Sequence, residues 1–166
     1  MAPSREFDAE YSQFQFRARN HWVDGGINRS TVKDFYAEGR EITDRPQTFS
    51  MTADEPALLA GKDSAPNPVE FYLHALAGCL TTSLVFHAAV RDIEIASIES
   101  QYEGDLDVRG LLGVSEDVTK GYTAVRVKMQ VKSDASVEQL TELAMFSPVY
   151  DMVSKAVPTE LILEKV

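Results

Sequence analysis

The stretch "NPVEFYLHALAGCLTTSLVFHAAVR", residues 67–91, constrains the fold more than any other part of the chain. Asn67 suits a helix N-cap, Pro68 the first helical position and Glu70 the third, so a helix is predicted over 68–91. Apolar side chains then fall on every side of it: Phe71, Leu73, Leu76, Leu80, Leu84, Val85 and Phe86. A surface helix carries one apolar stripe, whereas a helix apolar all round is buried on several sides. One small sheet cannot cover such a helix, so a second copy of the chain is expected to share its core.

The flanking pattern reads as strands and short helices. "SQFQFRARNHWV", residues 12–23, alternates in part with the period of a strand, and "DGG" at 24–26 marks a turn. Residues 30–38 return as a second strand and 47–53 as a third, followed by a Pro/Gly/Asp loop over 54–66. Downstream, 93–108 and 122–133 read as long strands on either side of a glycine-punctuated excursion at 109–121. Residues 135–146 and 147–155 read as helices, the second with Ser147 as N-cap and Pro148 at its first position, and 158–166 closes as a strand. Three strands, a long helix, two strands, two helices and a strand make an α+β domain, and 166 residues suit a single one spanning 1–166. The first ten residues are expected to fray.

Composition narrows the function. A formal charge of −10 repels phosphate backbones, so nucleic acid is not an expected partner. One cysteine, Cys79, cannot form an internal disulfide, which fits a reducing cytoplasm. The start "MAPSREFDAEY" lacks the apolar core of a secretory signal, and no uninterrupted run approaches the ~18 apolar residues of a membrane span, so no membrane is expected either.

Few residues offer chemistry. Cys79 is a candidate nucleophile, but Tyr72, Ala75, Leu76, Thr82, Ser83 and Phe86, its neighbours along a helix, carry no positive charge to favour a thiolate. By those neighbours alone it reads as an inert buried thiol. Glu70 serves the helix dipole and lies four residues from His74, within hydrogen-bonding reach on one face. His74 and His87 stand five before and eight after Cys79, not at the i, i+4 spacing of a helical metal site, so no metal is expected. His21, beside Trp22, reads as a strand residue. There is no G-x-S-x-G elbow, no phosphate-binding loop and no dinucleotide fingerprint, so no cofactor is expected. A hydrolase or transferase using Cys79 would have no evident base.

Four features in order carry a resemblance: "HWVDGG", the Asn-Pro helix entry with its nearby glutamate, a cysteine near the middle of the long helix, and a later helix opening on Pro-Val. Over nearly its whole length the chain resembles the OsmC and organic-hydroperoxide-resistance family. The resemblance implies antiparallel sheets wrapped around a long central helix in an intertwined homodimer, with active sites at the dimer interface. It also implies that a cysteine on the central helix attacks a hydroperoxide, that a second cysteine at a "CPV" helix resolves it, and that a glutamate and an arginine help activate the first thiol. Carried across, the first cysteine is Cys79, and the resolving position is Ser147, which has no thiol. Glu70 is the matching acid, but many members carry it ten residues before the cysteine, where this chain has Val69. That one-residue shift turns the side chain by about 100°. Arg29, Arg40 and Arg45 are the candidate arginines, and His74 is a possible site neighbour. "GDLDVRGLLGV" and "SPVYD" point to a one-cysteine branch. The implied activity is a one-cysteine thiol peroxidase that reduces an organic hydroperoxide and is restored by an external thiol. The alternative is a non-catalytic relative that binds a small apolar ligand at the dimer interface.

Overall fold

The computed structural model describes residues 11–166, so the expected fraying of residues 1–10 lies outside the described residues. The chain forms two units, one up to Pro68 and the other Val69–Val166. In the first, β1 (Arg19–Asp24) and β2 (Ile27–Val32) form the expected antiparallel hairpin. Gly25 sits at φ +51°, a turn conformation that glycine adopts freely. β3 (Phe35–Ala37) and β4 (Arg40–Ile42) make a second small hairpin, and β5 (Phe49–Ala53) pairs with β2, giving the order β1-β2-β5.

Two strand boundaries differ from expectation. The first strand starts only at Arg19, and Phe14 and Phe16 lie before it. Gln15 bridges to Tyr36, and Phe16 stacks on Phe35 at 5.5 Å, so this segment is held by the second hairpin rather than by β2. The expected second strand divides into β2 and β3 around Lys33 and Asp34.

The 54–66 loop is organised by one buried acid. Asp54 accepts hydrogen bonds from the backbone N–H groups of Glu55 (2.8 Å), Lys62 (3.2 Å) and Ser64 (3.0 Å), and from the Ser64 hydroxyl (2.7 Å). A short 3-10 turn, Ala57–Leu59, lies inside this loop. A Cβ at Gly61 would collide with the Glu55 carbonyl oxygen, so only glycine lets the loop close on itself.

In the second unit, α1 (Pro68–Val90) starts with proline at its first position and Glu70 in its first turn, as read from the sequence. It ends in a Schellman turn: Asp92 takes φ +55°, Ile93 N–H reaches Ala88 O at 3.0 Å, and Asp92 N–H reaches Ala89 O at 3.3 Å. β6 (Ile95–Leu106), a one-turn α2 (Val108–Leu111), β7 (Tyr122–Ser133), α3 (Val137–Ala144), α4 (Pro148–Ala156) and β8 (Thr159–Lys165) follow. β6 and β7 are antiparallel, but β8 joins β7 in parallel, because α3 and α4 carry the chain back to the end where β7 begins. Alternate residues of β7, Val125, Val127, Met129 and Val131, face a core shared with Leu76, Leu80, Leu84 and Ala88 of α1 and with Leu140, Leu143 and Val153.

Within one chain helix α1 buries the stripe Leu76, Leu80, Leu84 and Ala88. By length and composition it is also apolar enough to cross a membrane, with a mean hydropathy of 1.5 over its best window, 22% of which is buried. Counting uninterrupted apolar residues missed this because His74, His87 and the threonines break the run without lowering its average much. One face of the helix, the stripe Leu76, Leu80, Leu84 and Ala88, joins the core with β7.

The Asp54 cage fixes a pH dependence. Its hydrogen bonds, those from Ser64 foremost, hold the carboxyl at about 2, below its ordinary value. A depressed folded-state pKa stabilises the loop above the unfolded pKa of about 3.9, and that contribution is lost as pH falls from there toward 2. In a carboxyl-carbon NMR titration Asp54 should have its midpoint near 2, rising in Ser64→Ala. An ordinary midpoint near 4 in the wild type would contradict the cage.

Candidate functional site

Helix α1 determines what Cys79 can meet. Its thiol is free and partly buried, on the flank of the helix beside the buried stripe. At about 100° per residue, Ala75 and Thr82 stand one turn away on the same side, and Tyr72 and Phe86 two turns away. The latter two are 38% and 62% exposed, while buried Leu76 and partly buried Ser83 are the other residues one turn from Cys79. A Cβ at Gly78 would touch nothing within 4 Å, which leaves the helix surface next to Cys79 open. The Thr82 hydroxyl donates back to Gly78 O at 2.9 Å, with Cys79 O at 3.3 Å, so its proton is already committed to the main chain.

Glu70 and His74 are both exposed on α1, but on another side. Nine residues separate Glu70 from Cys79, which is about half a revolution and roughly 13 Å along the axis. His74 points within about 40° of Glu70. One chain therefore brings Glu70 and His74 together, and sets Cys79 apart from both.

Ser147 is fully buried and caps α4 as the sequence predicts: its Oγ accepts the Tyr150 N–H at 3.1 Å. The entrance to α4 is tied to the later part of α1 by a stack. The His87 ring lies 4.1 Å from Phe146, and Arg91 stands over the same ring at 5.7 Å while its Nη1 lies 3.2 Å from His87 Nδ1. The candidate arginines lie in the first unit. Arg29 is exposed on β2, Arg40 is on β4, and Arg45 stands over Phe35 (4.7 Å) and Phe49 (5.6 Å). His21 is an exposed residue of β1. Among the described residues no three His, Cys, Asp or Glu side chains group as a metal site.

Sequence reasoning passed over two tyrosines. Tyr122 donates its hydroxyl to Val69 O at 2.9 Å and sets its ring 6.0 Å from Tyr72, anchoring the first turn of α1 to β7. Burial pushes this phenol up, and the charge of Glu70 adds to the shift. A Cβ at Gly104 would overlap the Tyr122 ring, and a glycine interrupting an otherwise regular strand was the signal available. Tyr102 of β6 packs against the core with its hydroxyl buried and no hydrogen bond of good geometry. Burial pushes it up, while the Ser100 and Thr81 hydroxyls act in the opposite sense.

A protein-family model described as OsmC-like protein matches residues 61–162. An OsmC-like protein from Mycoplasma pneumoniae superposes with a TM-score of 0.68 at 14% identity, over 92% of this chain and 97% of that one. An organic hydroperoxide resistance protein from Elizabethkingia anophelis, with thiocyanate bound, gives 0.64 at 14% identity over 93% and 99%. An organic hydroperoxide resistance protein, OsmC, from Legionella pneumophila gives 0.58 at 17% over 90% and 96%. No curated protein matches the sequence.

The capping geometry sets what Ser147 is worth. Ser147→Ala should lower unfolding stability by about 1 kcal/mol, the usual cost of a lost N-cap, measured by urea denaturation. A change below a few tenths would mean that the Oγ bond contributes nothing to α4.

Proposed function

The chain belongs to the OsmC-like protein family, and from that premise we propose that it is a one-cysteine thiol peroxidase acting on organic hydroperoxides. The observation that carries the reading is the setting of Cys79: a free, partly buried thiol with Ala75 and Thr82 one turn away and the exposed rings of Tyr72 and Phe86 two turns away on the same side of the central helix. An apolar peroxide would reach the thiol across the helix surface left open at Gly78. The Cys79 thiolate attacks the outer peroxide oxygen, the O–O bond breaks, and the leaving alkoxide takes a proton to become an alcohol. Cys79 is left as sulfenic acid. An external thiol condenses with it, releasing water, and a second thiol restores Cys79 while leaving as the mixed partner's disulfide. That cycle suits a reducing cytoplasm, and Ser147, at the family's resolving position, leaves the reduction to the external thiol.

In this reading a second copy of the chain covers the open side of α1. The partner also removes a difficulty: Glu70 faces away from its own Cys79, so any part it takes, with His74, is played across the interface. One observation favours the alternative, a non-catalytic protein that binds a small apolar ligand on the same helix surface. No cation stands on the Cys79 side of α1 within its own turns, and the Thr82 hydroxyl is turned to the backbone.

Intact-mass analysis after brief treatment with cumene hydroperoxide separates the two. The peroxidase gains one oxygen on Cys79 at low peroxide, trapped by dimedone, and an external dithiol reverses it. A thiol that stays unmodified contradicts the reading and leaves the ligand binder. If Ser147 holds the resolving position, Ser147→Cys should convert the sulfenic acid into a Cys79–position 147 disulfide, seen as a linked peptide pair. A folded, peroxide-reactive variant without that bridge would show Ser147 to be a helix cap alone.

A further inference from the structure

Strand alternation sorts the first unit's sheet into two unlike faces. One face carries Arg19 and His21 on β1, Arg29 and Thr31 on β2, and Ser50 and Thr52 on β5. Arg19 is paired in register with Thr31, and His21 with Arg29. At the end of this face lies a hollow of about 320 Å³ lined by Arg17, Arg19, Lys33, Thr31, Thr43 and Thr48. Three cations and three hydroxyls thus converge in a chain whose formal charge is −10.

Two acids, Asp34 and Glu41, also line the hollow and offset two of its three cations, leaving an excess of one positive charge. Glu41 is taken up by Arg17, whose Nη1 and Nη2 donate to its two oxygens at 2.8 and 2.7 Å. Asp34 comes only to 4.0 Å from the Lys33 ammonium. Among the described residues Arg19 and Arg29 have neither an ion pair nor a hydrogen bond to a side chain. The Arg17–Glu41 fork also shows that a planar carboxylate already occupies the arginine best placed for one. What remains is an arginine, an ammonium and hydroxyl donors around an open space, a set suited to a tetrahedral oxyanion.

We propose that this hollow binds a small molecule through a phosphoryl group, with Arg19 and Lys33 as its charged contacts and Thr31 and Thr48 as hydroxyl donors. The ligand is small because the rest of the protein is acidic and repels an extended polyanion. The volume is at the low end of ordinary ligand sites, enough for a phosphoryl group and a modest attached body. This site is independent of the chemistry at Cys79.

The test is calorimetric titration of the full chain with inorganic pyrophosphate at low salt, with sodium sulfate at equal ionic strength as the competitor. A single saturable site per chain is expected, weakened at least tenfold by Arg19→Gln or Lys33→Gln and unchanged in Lys155→Gln on α4. Thr48→Val, which leaves every charge in place, should weaken it about threefold and serves if a charge variant fails to fold. Binding that is absent, or that survives Arg19→Gln combined with Lys33→Gln, overturns the proposal. So does a change of association state in Arg19→Gln by light scattering, since the face would then be a contact between chains.

Discussion

The structure depends on helix α1 having more apolar surface than its own chain covers. Leu76, Leu80, Leu84 and Ala88 pack on the β6-β7-β8 sheet with no exposed area, while Tyr72, Val85, Phe86 and Val90 on the other sides are between 38% and 62% exposed. At about 25 cal/mol per Å² of apolar surface, leaving such a helix half bare forgoes several kcal/mol, a large part of a typical domain's net stability. The long helix, its short entry turn anchored by Tyr122 and its Schellman exit at Asp92 form a rigid post. The thiol stands midway along that post, on the side the chain leaves open.

That placement links packing to chemistry. A cysteine on the buried stripe would be inert, and one on the polar end of the helix would meet water. Cys79 stands between, partly covered, with Ala75 and Thr82 one turn away and the exposed rings of Tyr72 and Phe86 two turns away on its side of the helix. The proposed reaction asks little of the rest of the chain: access, exclusion of water by a second copy, and a thiol from solution. The buried cap at Ser147 is consistent with this economy, since its hydroxyl accepts the Tyr150 N–H and holds the start of α4.

Much of the fold was legible because its signals are local. Asn67, Pro68 and Glu70 mark the helix start, strict alternation gives β7 its full range of 122–133, and Ser147-Pro148 marks α4. Features that depend on distant partners were not. The parallel entry of β8 follows from where two helices deliver the chain, which no residue of "PTELILEKV" encodes. The first strand was read too long because Phe14 and Phe16 alternate like strand residues but pack toward Phe35. Of the site, Cys79 and Ser147 were legible as positions. The opposition of Glu70 and Cys79 follows from nine residues of helix and could have been counted, whereas the Tyr122 anchor depends on a contact 53 residues away in sequence.

A second copy of the chain is proposed to cover the open side of α1. Light scattering on the full chain across micromolar concentrations tests it directly, together with Phe86→Glu, which places a charge on that side. The expected result is about twice the 18.4 kDa chain mass for the wild type and a shift toward 18.4 kDa, with lower stability, for the variant. A wild-type chain that is folded and stable at 18.4 kDa would contradict it.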